Sequence, residues 1–331
     1  MERFALAAAV VLGFALTAAL CSLFVPLRRV LERREQQQQP VQSEQPRPAP
    51  LRAPLWGGLC AAAGTVAAVG VGWLAACVGQ PELLGSEGRL MTRLLTALAG
   101  SLAFGAVGLA EDLARMRSPA ALGLRRDVRL LLEALAAAFV LLLLRAAGCL
   151  PRGLGVPGAG YVLLGSAVPF LWAVLMVALA ECARIAERDE GTVCGAAFVA
   201  MLALMMAEAG LGVPGLAVLP AALAGALVAL GLWAFPPARL GVGCCGSLLA
   251  AGAIGCIPLS LDMTSLTVPL ALPFWAAGGL LTAQLLGAKR TGKPLRCWVK
   301  KHKMSPETVF LCSFALSAVG YVLALALLRW C

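Results

Sequence analysis

Charged side chains are scarce in this sequence. Asp, Glu, Lys and Arg make up only 13% of its 331 residues, whereas hydrophobic residues make up 60%. A soluble domain carries about 25% charged residues, so this chain has roughly half of the usual share. Helices that face lipid have to be poor in charge, because an ionised side chain inside a bilayer is costly. The composition therefore excludes an ordinary soluble domain and indicates an integral membrane protein.

Histidines and paired cysteines are also lacking. The single histidine, His302, stands among lysines, which is typical of a solvated loop residue. The 12 cysteines contain no CxxC pair with the spacing of a zinc site, and most lie in apolar segments, where cysteine behaves as a small hydrophobic residue. A zinc-finger class and a disulfide-stapled secreted domain are therefore excluded.

The sequence contains ten apolar segments of roughly 17–25 residues, the length of helix that crosses a ~30 Å hydrocarbon core. Their apolar runs are continuous, whereas the strands of a membrane barrel alternate. We therefore predict an all-α, ten-pass membrane protein that forms one domain over residues 1–331. The predicted spans are 4–27, 54–78, 91–110, 128–147, 159–180, 192–209, 213–233, 243–261, 267–287 and 308–328.

The basic residues predict the orientation of these spans. Of the 27 Lys and Arg residues, 21 fall in alternate loops, which the positive-inside rule assigns to the cytoplasm, so both termini are expected outside. The net charge of +10 then reflects topology and attraction to anionic membrane lipids, and no nucleic-acid partner is expected. Those loops are 28–53, 111–129, 181–191, 234–243 and 288–307.

The first of these loops contains a Gln- and Pro-rich stretch, residues 30–53, which we predict to be a flexible linker. The apolar run before it is long, and a cluster of arginines, Arg28, Arg29, Arg33 and Arg34, follows the run instead of leading it. We therefore expect a retained helix here and not a cleaved signal peptide.

Acidic residues gather in two of the same loops. Glu111 and Asp112 end the third span and are followed by Arg115, while residues 181–191 contain four carboxylates and two arginines. Carboxylates in such a group could ligate Mg²⁺, and the arginines could bind phosphate. Equally, the acids and bases could pair with one another at helix ends. The residue types alone leave both interpretations open.

A glycine-rich segment, residues 237–247, connects the seventh and eighth spans. Its glycines permit either close approach of the backbone to a ligand or close packing of helices. The spacing is neither that of a phosphate-binding Walker loop nor that of a dinucleotide fingerprint, so those two classes of site are excluded.

In order along the chain, five segments resemble motifs of the polyprenyl-phosphate N-acetylhexosamine-1-phosphate transferases. Residues 53–58 resemble the Thr-Pro-Thr-Met-Gly-Gly of that family, and residues 108–112 its Gly-Phe-x-Asp-Asp. Residues 181–191 are similar to Asn-x-x-Asn-x-x-Asp-Gly-x-Asp-Gly, and residues 237–247 to Pro-Ala-Lys-x-Phe-Met-Gly-Asp-x-Gly-Ser. Residues 294–300 stand where the family has Pro-Leu-His-His-His-Phe-Glu.

This resemblance implies a glycosyltransferase-4-like membrane domain in a bacterial inner membrane. The implied reaction transfers a sugar 1-phosphate from a UDP-amino sugar, of the UDP-MurNAc-pentapeptide or UDP-GlcNAc type, to undecaprenyl phosphate. Mg²⁺ would serve the reaction on the cytoplasmic face, and the products would be UMP and a lipid-linked sugar for peptidoglycan and envelope synthesis. The resemblance also implies catalytic roles for Glu111, Asp112, Glu187 and Glu190, and a Mg²⁺ site at Asp112 and Glu187. The implied substrate-binding residues are Arg115, Arg184, Gly243, Gly246, Ser247 and Arg296.

The same motifs depart from the family at chemically important positions. Cys244 stands where the family has a metal-binding aspartate, and a thiol is a soft ligand that Mg²⁺ disfavours. Residues 296–298 are Arg-Cys-Trp in place of three histidines. Glutamates replace aspartates at positions 111, 187 and 190, and a catalytic group displaced by about 1 Å can cost ~10²-fold in rate.

Two hypotheses follow. The chain could be a diverged transferase that holds Mg²⁺ with Asp112 and either Glu187 or Glu190. Alternatively it could be a pseudoenzyme, with transfer lost, that binds the lipid, a nucleotide-sugar, a second copy of itself or an envelope-assembly partner. A transporter, the third class, would need ionisable residues within the membrane, for which only Glu133 and Glu208 are candidates.

Overall fold

The computed structural model describes most of the chain. The residues that it describes are 2–38, 56–79, 88–117, 123–151, 153–156, 160–163, 165, 167–187, 191–212, 215–235, 238–287 and 306–330. Two residues of the candidate site, Glu190 and Arg296, lie outside these ranges, as does the part of the predicted linker from residue 39 to 53. Residues 30–38 of that linker segment continue the first helix.

The described residues form eleven α-helices, a short 3₁₀ helix (Thr264–Leu266) and two short strands. The helices are α1 (Glu2–Gln38), α2 (Gly57–Gly79), α3 (Gly88–Arg117), α4 (Arg126–Ala146), α5 (Ala167–Ala186), α6 (Thr192–Gly210), α7 (Val218–Ala234), α8 (Gly243–Ser260), α9 (Thr267–Leu270), α10 (Leu272–Gly287) and α11 (Pro306–Trp330). The strands are β1 (Gly153–Val156) and β2 (Gly160–Leu163).

The helices confirm the predicted all-α, multi-pass membrane architecture, but they do not confirm the count of ten spans. Within the described ranges, seven helices are long and apolar enough to cross a membrane, namely α1, α2, α3, α5, α6, α8 and α11. Helix α7 is a shorter apolar helix of 17 residues. Helix α4 carries Arg129, Glu133 and Arg145 within its apolar run, which lowers its hydropathy.

Proline divides the ninth predicted span. Residues 267–287 form two helices, α9 and α10, with a turn at Ala271. Pro273 has no N–H to donate to the carbonyl of Pro269, four residues earlier, so the α-helical hydrogen-bond ladder is interrupted there. The Pro269 carbonyl instead lies against Gly320 of α11, at a place where a Cβ atom would not fit.

The fifth predicted span starts later than the apolar pattern indicates. Residues Gly153–Val156 and Gly160–Leu163 pair as antiparallel strands, with Gly153 opposite Leu163, and the helix begins only at Ala167. Glycines are poor helix formers, and they favour a tight connection between α4 and α5. The two strands lie in the connection between α4 and α5, and the apolar spans on either side of it are helical, as predicted.

Helix α8 lies at the centre of the bundle. Every residue from Gly243 to Ser260 is buried, and the most extensive helix pair in the described structure is formed by α3 and α8. Gly252 packs on Ser101 and Phe104, and the indole Nε1 of Trp172 donates a hydrogen bond of 3.3 Å to the Gly255 carbonyl. Small residues allow such close contact between helices in a membrane, where packing drives association.

One end of the bundle is held together by glycines from three helices. Gly58, at the start of α2, lies against the backbone of Gly246 in α8, and the Gly57 N–H donates to the Gly241 carbonyl at 3.2 Å. Gly108, near the end of α3, lies against the carbonyl of Cys244. The ends of α2 and α3 thus meet the N-terminus of α8, which brings together segments that the family resemblance had marked.

This packing predicts different outcomes for two glycines of α2. In Gly58→Ala the new Cβ would lie 2.7 Å from the Gly246 Cα atom, whereas in Gly70→Ala it would meet no atom within 4 Å. We expect Gly58→Ala to lower the free energy of unfolding by at least about 1–3 kcal/mol through overpacking. Gly70→Ala should be neutral or slightly stabilising, by up to about 1 kcal/mol. Thermal denaturation in detergent, followed by size-exclusion chromatography, measures both, and equal melting temperatures would contradict the packing.

Candidate functional site

The carboxylate of Asp112 caps the N-terminus of α8. The backbone N–H groups of Cys244 and Cys245 donate to its Oδ1 and Oδ2 atoms at 3.0 and 2.9 Å. The first N–H groups of any helix lack partners inside the helix, and here burial keeps water away from them. Asp112 is itself fully buried, so its negative charge also faces the positive end of the α8 dipole.

Arg115 links three carboxylates at this end of α3. Its Nη2 atom lies 2.7 Å from Glu111 Oε1, and its Nη1 atom lies 3.9 Å from Asp112 Oδ1 and 3.8 Å from Glu187 Oε2. Glu111 and Asp112 are buried, while the side chains of Arg115 and Glu187 are 22% and 11% exposed. One guanidinium group therefore connects the ends of α3 and α5 through ion pairs.

A second set of ion pairs joins α4 to both neighbours. The Nε atom of Arg129 lies 2.7 Å from Glu181 Oε1, and its Nη1 atom lies 3.8 Å from Glu111 Oε1. The other Glu181 oxygen lies 2.6 Å from Arg184 Nη2. Arg129 is buried at the start of α4, whereas the Glu181 side chain is 24% exposed, so this ion pair is only partly shielded from solvent. Partial burial strengthens an ion pair relative to one at a fully exposed surface.

Several buried polar atoms beside these ion pairs have no hydrogen-bond partner within the described part of the chain. They are both carboxylate oxygens of Glu133, Glu111 Oε2 and Arg184 Nε. Glu133 lies one helical turn beyond Arg129 and is completely buried, facing the bundle as expected from its sequence position. Glu208 in α6 is also buried, with its Oε2 atom unpartnered.

The structure brings most of the candidate residues together. Glu111, Asp112, Arg115 and Glu187 form one ion-pair cluster, and Arg184 lies beside it. Gly243 has a φ of +71° and is the first residue of α8. The next two residues donate the backbone hydrogen bonds that Asp112 accepts. Gly246 packs on Gly58, and the Ser247 hydroxyl, buried inside the bundle, donates to the Cys244 carbonyl at 3.1 Å. Roles of these residues in binding or catalysis remain predictions.

The donor set does not fit a divalent metal in this arrangement. Mg²⁺ prefers oxygen ligands with a free lone pair and room for several waters. Each oxygen of Asp112 uses one lone pair for a backbone hydrogen bond, and the Arg115 guanidinium lies within 4 Å of both Asp112 and Glu187, where it would repel a metal cation. Among the residues that the structure describes, no three His, Cys, Asp or Glu side chains are arranged to hold a metal ion.

Comparison with known families identifies the type of this membrane domain. Residues 94–262 match the family described as glycosyl transferase family 4, a range that includes half of the chain, the Asp112 cluster and the whole of α8. The chain belongs to glycosyl transferase family 4. The matched range begins within α3 and ends just after α8, so it contains the helices that meet at the cap.

The chain is also similar to an individual protein. The chain is 30% identical over 212 residues to the phospho-N-acetylmuramoyl-pentapeptide-transferase of Synechococcus sp. (strain RCC307). The similarity covers 63% of this chain and 55% of that protein, so the chain matches only about half of the length of its relative. Together with the family match, it confirms the resemblance drawn from the sequence motifs.

Three charged residues near this ion-pair cluster were not singled out as site residues from the sequence. They are Arg129, Glu133 and Glu181. The signal of a charge within an apolar helix identified Glu133 only as a candidate of the transporter class, and the same signal could have found Arg129, four residues earlier in α4. Glu181 could not be assigned because its partner Arg129 lies 52 residues away in the sequence.

The cap predicts that Asp112 is important for folding. In Asp112→Asn an amide NH₂ group would replace one acceptor and face a backbone N–H, and the charge beside Arg115 would be lost. We expect a loss of about 2–3 kcal/mol in the free energy of unfolding, the usual cost of a hydrogen bond to a charged group. Asp127→Asn is the matched control, because the Asp127 side chain is 85% exposed and its change should cost under about 0.5 kcal/mol. Equal melting temperatures for the two variants would contradict the capping role.

Proposed function

We propose that this chain is a sugar-phosphate transferase homologue of envelope synthesis that no longer catalyses transfer. It would bind undecaprenyl phosphate in the bacterial inner membrane, with the Asp112 end of the bundle in the cytoplasm, and act as a lipid-binding partner of the envelope machinery. The observation that carries this proposal is the structural role of Asp112: both of its carboxylate oxygens accept hydrogen bonds from the backbone of α8.

The chemistry of the implied reaction explains why this observation matters. Transfer of a phosphosugar from a UDP-sugar develops negative charge on phosphate oxygens, and Mg²⁺ normally neutralises it. In this chain Asp112 accepts two backbone N–H groups, Arg115 lies beside Asp112 and Glu187, and Cys244 offers a buried thiol where the family has an aspartate. These features support loss of the metal-dependent step, while the fold that surrounds it is retained.

Loss of transfer leaves binding as the remaining role. The membrane-facing helices expose large apolar side chains, such as Leu142 in α4 and Phe170 in α5, as a lipid-facing surface requires. A polyprenyl chain could lie along such a surface with its phosphate near the basic loops at the Asp112 end. A UDP-amino sugar is the soluble ligand that the family relationship suggests for the same end.

A UMP-release assay tests this proposal. The purified chain is given undecaprenyl phosphate, Mg²⁺ or Mn²⁺ and a panel of UDP-amino sugars that includes UDP-MurNAc-pentapeptide and UDP-GlcNAc. We expect no UMP above background, while the Synechococcus relative releases UMP in the same assay. In parallel, native mass spectrometry should detect undecaprenyl phosphate bound to the purified chain.

The control variant for the assay has to separate catalysis from folding. Asp112→Asn does not, because it also removes the cap of α8. Glu187→Gln is better suited, since this side chain lies at the end of the bundle and keeps its size. Metal-dependent UMP release by the wild type that disappears in folded Glu187→Gln would overturn the proposal and establish a diverged transferase.

A further inference from the structure

Helices α1 and α2 pack against each other as a close antiparallel pair. A Cβ atom at Gly64 of α2 would lie 3.1 Å from the backbone nitrogen of Thr17 in α1, so the two backbones touch there. About two turns further along α1, the ring of Phe24 stacks on that of Trp56, directly before α2, with 5.8 Å between the ring centroids. These two contacts fix the register of the pair, because positions on α2 fall as positions on α1 rise.

Cys21 and Cys60 lie between these two contacts. Cys21 follows Thr17 by about one turn of α1, and Cys60 precedes Gly64 by about one turn of α2. The antiparallel register therefore places the two cysteines opposite each other, and their thiols are in hydrogen-bonding contact. Both residues are buried in the core of the bundle, at 0% and 1% exposure. Two helices thus present one thiol each to the same buried point.

This arrangement suits the formation of a disulfide. A disulfide needs Cα atoms within about 7 Å of each other and Cβ atoms that point toward one another. The backbone contact one turn away brings the two main chains close together, and the contact between the thiols means that the side chains face each other. All ten cysteines among the described residues are free thiols, so the pair is reduced in this structure.

We propose that Cys21 and Cys60 are a redox-active pair that hydrogen peroxide converts to a disulfide linking α1 to α2. One sulfur attacks a peroxide oxygen and breaks the O–O bond, which gives a sulfenic acid and one water. The second sulfur then displaces the sulfenic oxygen as a second water and forms the S–S bond. The two thiols together lose two electrons and two protons, and one molecule of peroxide accepts them.

Burial determines which reagents reach this pair of thiols. Hydrogen peroxide is small and uncharged, whereas a charged tripeptide such as glutathione has poor access to a buried sulfur. The disulfide therefore forms slowly and, once formed, resists reduction, so it responds to sustained oxidation. Cys60 also lies within one turn of Gly57 and Gly58, which pack on residues 241–246. The link thus fixes the helix that supports the N-terminus of α8.

Oxidation of the intact purified chain in detergent tests this inference. The reduced protein is incubated with millimolar hydrogen peroxide, and the excess is removed with catalase. Mass spectrometry after proteolysis identifies cross-linked peptides, maleimide labelling after denaturation counts the remaining thiols, and thermal denaturation measures stability. The variant Cys60→Ala removes one sulfur of the pair. Cys77→Ala is the matched control, because Cys77 is a buried cysteine on the same helix.

We expect a cross-linked peptide that joins Cys21 to Cys60 in wild type and in Cys77→Ala, together with the loss of two thiols. The melting temperature of both proteins should rise by roughly 5 °C, because the disulfide closes a long loop. Cys60→Ala should give neither the cross-link nor the rise. Methionine oxidation affects all three proteins alike, so the difference between them reports the disulfide. If Cys60→Ala does not fold, Cys21→Ala provides the same comparison.

Three results would overturn the inference. One is a folded, peroxide-treated wild type that keeps both thiols. Another is a cross-link to a different cysteine, such as Cys194 in α6, which lies near Cys21, or Cys245 in α8, which lies near Cys60. The third is oxidation of Cys60 alone, to a sulfinic or sulfonic acid, without a cross-link. None of these results depends on UMP release, so a failure here is distinguishable from a failure of the proposed function.

Discussion

The N-terminus of α8 sets the main constraint on this end of the molecule. The helix is buried along its whole length, so its first N–H groups cannot reach water and need an acceptor from another helix. Asp112 supplies that acceptor, and α3 has to approach closely enough for Gly108 to touch the Cys244 carbonyl. A buried carboxylate in turn needs a cation, so the capping contact leads directly to the ion pair with Arg115.

This arrangement gives several motif residues a structural role in packing and capping the helices. At Gly58 and Gly108 a Cβ atom would clash with the backbone of α8, and at Gly246 it would lie 2.7 Å from Val242 Cγ1 and 3.1 Å from Gly58 Cα. Helix packing therefore accounts for these glycines without a ligand. Asp112 is similarly explained by the cap. A chain that loses transfer would keep such residues for folding, while residues needed only for chemistry would be free to change. Cys244 and the Arg-Cys-Trp sequence at 296–298, in place of an aspartate and three histidines, fit that division.

Much of the fold could be predicted from the sequence, because apolar runs and basic loops report directly on length and topology. The convergence of residues 108–112, 181–187 and 241–247 at one end also followed, since alternate loops of a membrane bundle share a side. The cap itself could not be predicted, because it joins Asp112 to backbone groups that follow it by 132 and 133 positions in the sequence. An aspartate at this position is equally consistent with metal binding. The break between α9 and α10 and the late start of α5 were missed because hydropathy is insensitive to the backbone effects of Pro273 and of the glycines before Ala167.

The neutral side chain of Cys244 suits the charges that surround it. The backbone N–H of residue 244 donates to Asp112, so a carboxylate at position 244 would lie beside the Asp112 carboxylate. The single positive charge of one guanidinium would not neutralise this added negative charge. A neutral, buried thiol avoids that repulsion and lets Arg115 balance the remaining carboxylates. Returning an aspartate to position 244 alone should therefore destabilise the cluster, because two adjacent buried carboxylates would repel each other.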